Sequence, residues 1–240
     1  MTVRLTRDPS GRFPERPYYQ ERELDQMFEE SVVGFLQRRH GSARFPITTD
    51  ELTVLIEEDV SDLDQYADLS RYGPDVEGLT EFNPGSKPRV AIAGVLSEYG
   101  NRENRKRTTL AHEYGHVKLH AYLYELHPPP PLLQDTHRKP NAIYCKRETM
   151  IAAAKSDWME WQAGYACGAV LMPRSYVQRT VGEYQQSHGI FGPVRPESEH
   201  GQALVEAIAR AFQVSRDAAR VRLLRLNALG EPTAVGSLFG

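Results

Sequence analysis

The sequence predicts an α+β protein: a small antiparallel or mixed sheet, a helix bearing the pattern H-E-x-x-H, and a helix-turn-helix-like helical region at the C-terminal end. Three observations lead there. Residues 76–82, VEGLTEF, and 88–94, PRVAIAG, are strand-like, and the NPGSKP linking them is turn chemistry of the kind that joins antiparallel strands. Residues 102–126, RENRKRTTLAHEYGHVKLHAYLYEL, then return to helical composition. Residues 201–230 hold two apolar-periodic runs that flank FQVSRD, with Ser215 placed to cap the second.

Taken in order, residues 1–18 form a Pro/Arg-rich lead expected to be flexible. Leu24, Met27, Phe28, Val32, Phe35 and Leu36 then recur at helical spacing, and Gly41 offers a C-terminal stop. Thr48, Thr49 and Asp50 are N-cap candidates for a shorter helix, DELTVLIEEDV. The strand pair follows, and after it the motif helix, with Thr108 or Thr109 available near its start. Residues 127–141, HPPPPLLQDTHRKPN, cannot continue that helix, because successive prolines remove backbone donors; an exposed loop is expected. Residues 155–170 read as a further helix, rich in small residues and terminated by Met172-Pro173. The organisation expected is a lead, 1–18, a main domain, 19–175, and a helical region, 176–240.

A chain of 240 residues with 40% hydrophobic residues can bury a sizeable core. The formal charge of -3 offers no global attraction to nucleic acid or anionic membrane. The N-terminal residues lack the continuous apolar core of a signal peptide, and AGYACGAVLM is far shorter than a bilayer-spanning helix, so a cytoplasmic protein with no membrane partner is expected. Cys145 and Cys167 are too few for a disulfide framework and read as reduced thiols.

On a helix His112 and His116 lie one turn apart on one face, so two imidazoles can converge on one ion. Glu113 is displaced by one residue, which lets its carboxylate approach an activated water without coordinating, as metal-assisted hydrolysis requires. A third ligand is needed. A metzincin-type downstream histidine is excluded, because Tyr122 stands at its position and the required glycine is missing. His120 is about 12 Å along the axis from His112, too far to share the ion, and is expected in an outer or structural role. A glutamate from a separate helix fits better, with Glu160 in DWMEWQAGYACGAVLMP the leading candidate.

The blocks TLAHEYGH and E-W-Q-A-G-Y-A-x-x-x-V-L-M-P together resemble the ImmA/IrrE family of bacterial metallopeptidases, less sharply so across the strand pair and the terminal helices, over roughly residues 45–227. The resemblance implies a zincin-like metallopeptidase core of the gluzincin type, with His112, His116 and Glu160 as metal ligands and Glu113 as general base. Gly164 stands where many relatives have Asn or Asp, so a ligand-orienting hydrogen bond is missing at that position and could come from elsewhere. Gln162 stands where some relatives have a second Glu, which leaves Glu160 the clearer ligand. Zinc suits this donor set, with manganese as the alternative ion. In such peptidases the substrate lies extended along an edge strand, which 76–82 or 88–94 could provide.

The function implied is that of a zinc-dependent endopeptidase cutting a cytoplasmic helix-turn-helix transcriptional repressor, in stress response or mobile-element control. The alternative is a DNA-binding or repressor-binding regulator with a structural zinc site and no proteolysis. Residues 201–227 carry Arg210, Arg216, Arg220, Arg222 and Arg225 against Glu206 and Asp217. The apolar residues around them favour a structural or substrate-docking role over DNA binding. Tyr114, Tyr165, His120 and Arg174 are conceivable oxyanion donors. The basic run 101–107 could guide an acidic substrate segment or be solvated surface. Either cysteine could ligate zinc and hold the enzyme latent, though a buried inert thiol is the commoner case.

Overall fold

A computed structural model describes residues 4–98, 100–128, 141–147, 150 and 157–231. It is an α+β structure with seven α-helices among those residues. Most of the expected loop of residues 127–141 lies outside them.

Residues 4–18, expected to be a flexible lead, instead form a hairpin of β1 (Arg4–Arg7) and β2 (Glu15–Tyr18), paired antiparallel from Arg4↔Tyr18 to Arg7↔Glu15. The reason is tertiary. Asp8 accepts from the main-chain N–H groups of Ser10 and Phe13 at 2.9 and 3.0 Å and from Trp158 Nε1 at 3.0 Å, while Phe13 is buried against Tyr124 and Trp158.

Helix α1 (Glu21–His40) opens with a capping box between Gln20 and Glu23 and ends at Gly41, whose φ of 72° is the left-handed geometry that glycine adopts without penalty. It buries Leu24, Phe28, Val32, Phe35 and Leu36, the periodic face read from sequence. Helix α2 (Thr49–Glu57) is capped by Thr48, which exchanges hydrogen bonds with Glu51. After β3 (Asp62–Ala67), strands β4 (Val76–Glu81) and β5 (Arg89–Ala93) form the expected antiparallel pair. With β6 (Ala142–Lys146) they make a mixed sheet of order β3-β5-β4-β6, in which only β3 and β5 run parallel. The two strands put forward as a substrate-binding edge are thus both interior, and among the described residues the free edges belong to β3 and β6.

The motif helix α3 (Glu103–Leu126) begins five residues before Thr108. Thr108 and Thr109 do not cap it; their hydroxyls donate back to the carbonyls of Asn104 and Arg105 inside the helix. Helix α4 (Trp158–Leu171) is capped by Asp157 and closes at Met172 before Pro173. Then come α5 (Arg174–His188), α6 (Glu199–Phe212) and α7 (Arg216–Arg225), the last two joined by residues 213–215 with Ser215 capping α7 as expected.

One apolar core runs from Phe28, Leu52 and Ile92 through Leu110 and Tyr114 to Val170, Ile208 and Leu223, so the terminal helices pack on the same core as the motif helix. Each large apolar side chain fully buried there contributes about 1.5–3 kcal/mol. A second cluster, including Phe13, Phe82, Cys145, Trp158 and Met159, lies between the hairpin, the sheet and α4. The site forms where α3, α4 and this side of the sheet meet.

Candidate metal centre

The middle of α3 is buried on every side, between the sheet and α4. Gly115 makes that possible. A Cβ there would come within 2.9 Å of Ala166 Cβ and 3.0 Å of Ala163 Cα, so only glycine lets the two helices approach this closely. The close approach delivers Glu160, on the first turn of α4, to the histidine face of α3.

His112 Nε2 and His116 Nε2 lie 3.1 Å apart. Glu160 spans both, with Oε2 at 3.2 Å from His112 Nε2 and Oε1 at 3.3 Å from His116 Nε2. Two ligands each about 2.0 Å from a tetrahedral zinc ion are separated by about 3.3 Å. The three donors therefore already stand at the spacing of a shared coordination sphere, and the residue types suit a divalent cation. Glu113 is not among these donors and reaches toward β4. Thr80 Oγ1 donates to its Oε2 at 2.5 Å, and a Cβ at Gly78 would overlap its Oε1, so the strand leaves room for the carboxylate. Oε1 is buried with no nitrogen or hydroxyl donor, and the Cys145 thiol stands beside the carboxylate. Cys145 Sγ also lies 3.9 Å from Glu160 Oε1, and one donor atom from each of His112, His116, Cys145 and Glu160 falls within 4.8 Å of the others.

Outer contacts orient the ligands. Gln162 Nε2 donates to the Pro17 carbonyl at 3.0 Å, a partner that can only accept, so its Oε1 faces His120 Nε2 at 3.0 Å as an acceptor. His120 must then carry its proton on Nε2. Its Nδ1, 2.9 Å from His116 Nδ1, is left as the acceptor of the His116 proton, and His116 Nε2 keeps its lone pair facing His112 and Glu160. His120 thus gives His116 a ligand-orienting hydrogen bond, while Gly164 has no side chain to offer one. Gly164 itself is required, because a Cβ there would lie 2.9 Å from the Met150 carbonyl.

The sequence matches the peptidase M78 family, described as an IrrE N-terminal-like domain, over residues 95–224, more than half of the chain. It belongs to the ImmA/IrrE family of metallopeptidases. A comparison with curated proteins finds no match. For an ImmA/IrrE chain the matched span is informative, since it includes both the H-E-x-x-H helix and the helix of Glu160.

The charges in this ImmA/IrrE centre are mutually dependent. Burial pushes the Glu113 carboxyl above its ordinary value, against the pull of His116 and His112. Burial also acts to raise Glu160, but the two imidazoles outweigh it and hold the carboxyl far below the usual range. His112 is driven upward overall, the Glu160 carboxylate outweighing desolvation. His120 falls well below its ordinary value through burial and the neighbouring His116, in keeping with the neutral ring inferred above. Burial raises both thiols, that of Cys167 to about 12.

Other residues singled out from the sequence are engaged elsewhere. Tyr114 pairs with Ser31 and Asp59, and Tyr165 with Asp25, toward which Arg174 also turns; none of these three faces the donor triangle. In the basic run, Arg105 pairs with buried Glu77, and Arg107 is buried while donating to the carbonyls of Ile47 and Gln213. That run is partly internal, not a solvated stripe. Gly78 and Thr80 were not singled out. A glycine inside a strand pattern is a known sign of close approach by another group, and could have pointed to Glu113.

Proposed function

We propose that this chain is a zinc-dependent endopeptidase acting on a cytoplasmic protein, with a helix-turn-helix transcriptional repressor as substrate in stress response or mobile-element control. The observation that carries the proteolytic reading is the triangle of His112 Nε2, His116 Nε2 and Glu160, with sides of 3.1 to 3.3 Å, beside an uncoordinated and buried Glu113. Repressor cleavage is supported by family membership alone.

In this reading His112, His116 and Glu160 hold the ion, with zinc preferred over manganese for two imidazoles and a carboxylate. Bound there, zinc supplies Lewis acidity, which lowers the pKa of a water and polarises the scissile carbonyl. Glu113 takes the proton of the attacking water and passes it to the leaving amine. Thr80 orients that carboxylate, and burial raises its affinity for the proton it must accept. The His120–Gln162 chain keeps His116 in the ligating tautomer. An extended substrate would pair alongside β6, an outer strand of the sheet among the described residues and the one that carries Cys145 into the site. Residues 19–175 carry the chemistry, and 176–240 help to dock the substrate.

The test begins with metal analysis of the purified protein. Incubation with a helix-turn-helix repressor from the same genome, followed by mass spectrometry, should give two fragments from one peptide bond when that repressor is the substrate. Glu113→Gln should retain the metal while cleavage falls by about 10²-fold or more, the scale of losing a general base. Equal cleavage by wild type and Glu113→Gln would refute proteolysis by this centre.

A further inference from the structure

We propose that Cys145 is a fourth donor to the cation held by His112, His116 and Glu160, so that the resting centre is closed by a thiolate. This rests on the reading of those three residues as a cation site. Cys145 stands opposite Gly78 in the β4–β6 ladder, and residues paired across a ladder project from the same face of the sheet. The Gly78 face is the one that meets Glu113, since a Cβ there would overlap its carboxylate. The sheet therefore aims the Cys145 side chain at the centre. Its Sγ is fully buried, 3.9 Å from Glu160 Oε1 and within 4.8 Å of both histidine donors. A thiolate sulfur about 2.3 Å from zinc and an imidazole or carboxylate atom about 2.0–2.1 Å from it are separated by about 3.6 Å. Cys145 is thus within about an ångström of a coordinating position. Cys167 is not: its Sγ contacts the Thr108 carbonyl at 3.4 Å and has no place in the donor cluster.

The chemistry balances without any redox partner. On closing, the Cys145 thiol would release its proton to solvent and a water would leave as the sulfur takes its place at the ion; on opening, the sulfur would be reprotonated and a water would return. Because Cys145 lies beside Glu113, the thiolate and the attacking water compete for one place. Movement of β6, an outer strand of the sheet among the described residues, would decide between them.

X-ray absorption at the zinc edge of the full, zinc-loaded chain tests this independently of activity. One sulfur at about 2.3 Å is expected together with nitrogen and oxygen at about 2.0–2.1 Å. The sulfur should vanish in Cys145→Ala and Cys145→Ser and persist in Cys167→Ala. Cobalt-loaded wild type should likewise show a thiolate-to-metal charge-transfer band that Cys145→Ser lacks. Zinc bound by nitrogen and oxygen alone in the wild type would overturn the proposal and leave the three-ligand reading standing, and a sulfur persisting in Cys145→Ser would overturn it as well. Failure of the wild type to bind zinc or cobalt at all would remove both. The wild-type spectrum is decisive even if a variant folds poorly.

Discussion

At His116 the question is which ring nitrogen is free, and a hydrogen-bond chain beginning at a proline carbonyl answers it. Pro17 fixes the Gln162 amide, the amide fixes His120, and His120 fixes His116. Glu160→Ala should therefore remove a ligand and lower zinc affinity the most. Gln162→Ala is expected to weaken it about 10–100-fold, the range for losing an outer partner of a ligating histidine. Competition titration with a chromophoric chelator measures both, and a Gln162→Ala affinity equal to wild type would break the relay. The pair of histidines and the nearby Glu113 were legible from spacing, because three residues on one helix carry their own geometry. Thr80 and Gln162 were not, because their roles depend on which strand or loop folds against the helix.

At the scale of elements, two packings hold the centre together. Gly115→Ala would place a methyl group against Ala163 and Ala166, where the neighbours include backbone atoms that cannot rotate away. A destabilisation of about 1–3 kcal/mol is expected from such overpacking. Zinc affinity should fall with it as α4 withdraws Glu160; thermal unfolding and chelator competition would show whether the two losses travel together. The N-terminal hairpin is the second case. Burial acts to raise the Asp8 carboxyl, but its hydrogen bonds from Ser10, Phe13 and Trp158 outweigh it and leave the group below the ordinary 3.8. A carboxyl depressed in the folded state stabilises that state above its unfolded value, and the stabilisation is lost as pH falls through the folded value. The hairpin should loosen on acidification below about pH 4, read by tryptophan fluorescence through Trp158, and Asp8→Asn should blunt that acid limb.

Across the whole molecule, Arg222 decides how the terminal helices are used. It is 1% exposed, pairs with Asp25 of α1 at 2.7 Å and donates to the Met172 carbonyl at 3.0 Å, while Tyr165 donates to the same aspartate at 3.0 Å. Arg222→Ala would take from the buried Asp25 carboxylate its nearer cation, leaving Tyr165 and the more distant Arg174, at a cost of up to about 3–5 kcal/mol measurable by urea unfolding. The outer arginines are paired within the protein, Arg216 with Glu206 and Gln202, and Arg220 with Glu197. Replacing either exposed residue by alanine should change stability by no more than about 1 kcal/mol. A DNA reader needs such side chains free, so gel shifts at about 0.15 M salt should show no sequence-specific complex. A specific complex tighter than about 10⁻⁸ M that depends on Arg216 and Arg220 would restore the DNA-binding alternative.

Local rules carried the prediction wherever one segment contains all its own determinants. The N-cap within Thr48–Asp50, the stop at Gly41, the strand pair around NPGSKP, the cap at Ser215 and the spacing of His112, Glu113 and His116 are of this kind. The hairpin of residues 4–18 and the interior places of β4 and β5 are set by contacts with chain far away in sequence. So are the burial of Arg107 and the arrival of Cys145 among the donors. Spacing along a helix brings residues together through bonds within that helix. Cys145 reaches His112 only because one strand pairs in one register beside one helix, and that register is a property of the folded whole.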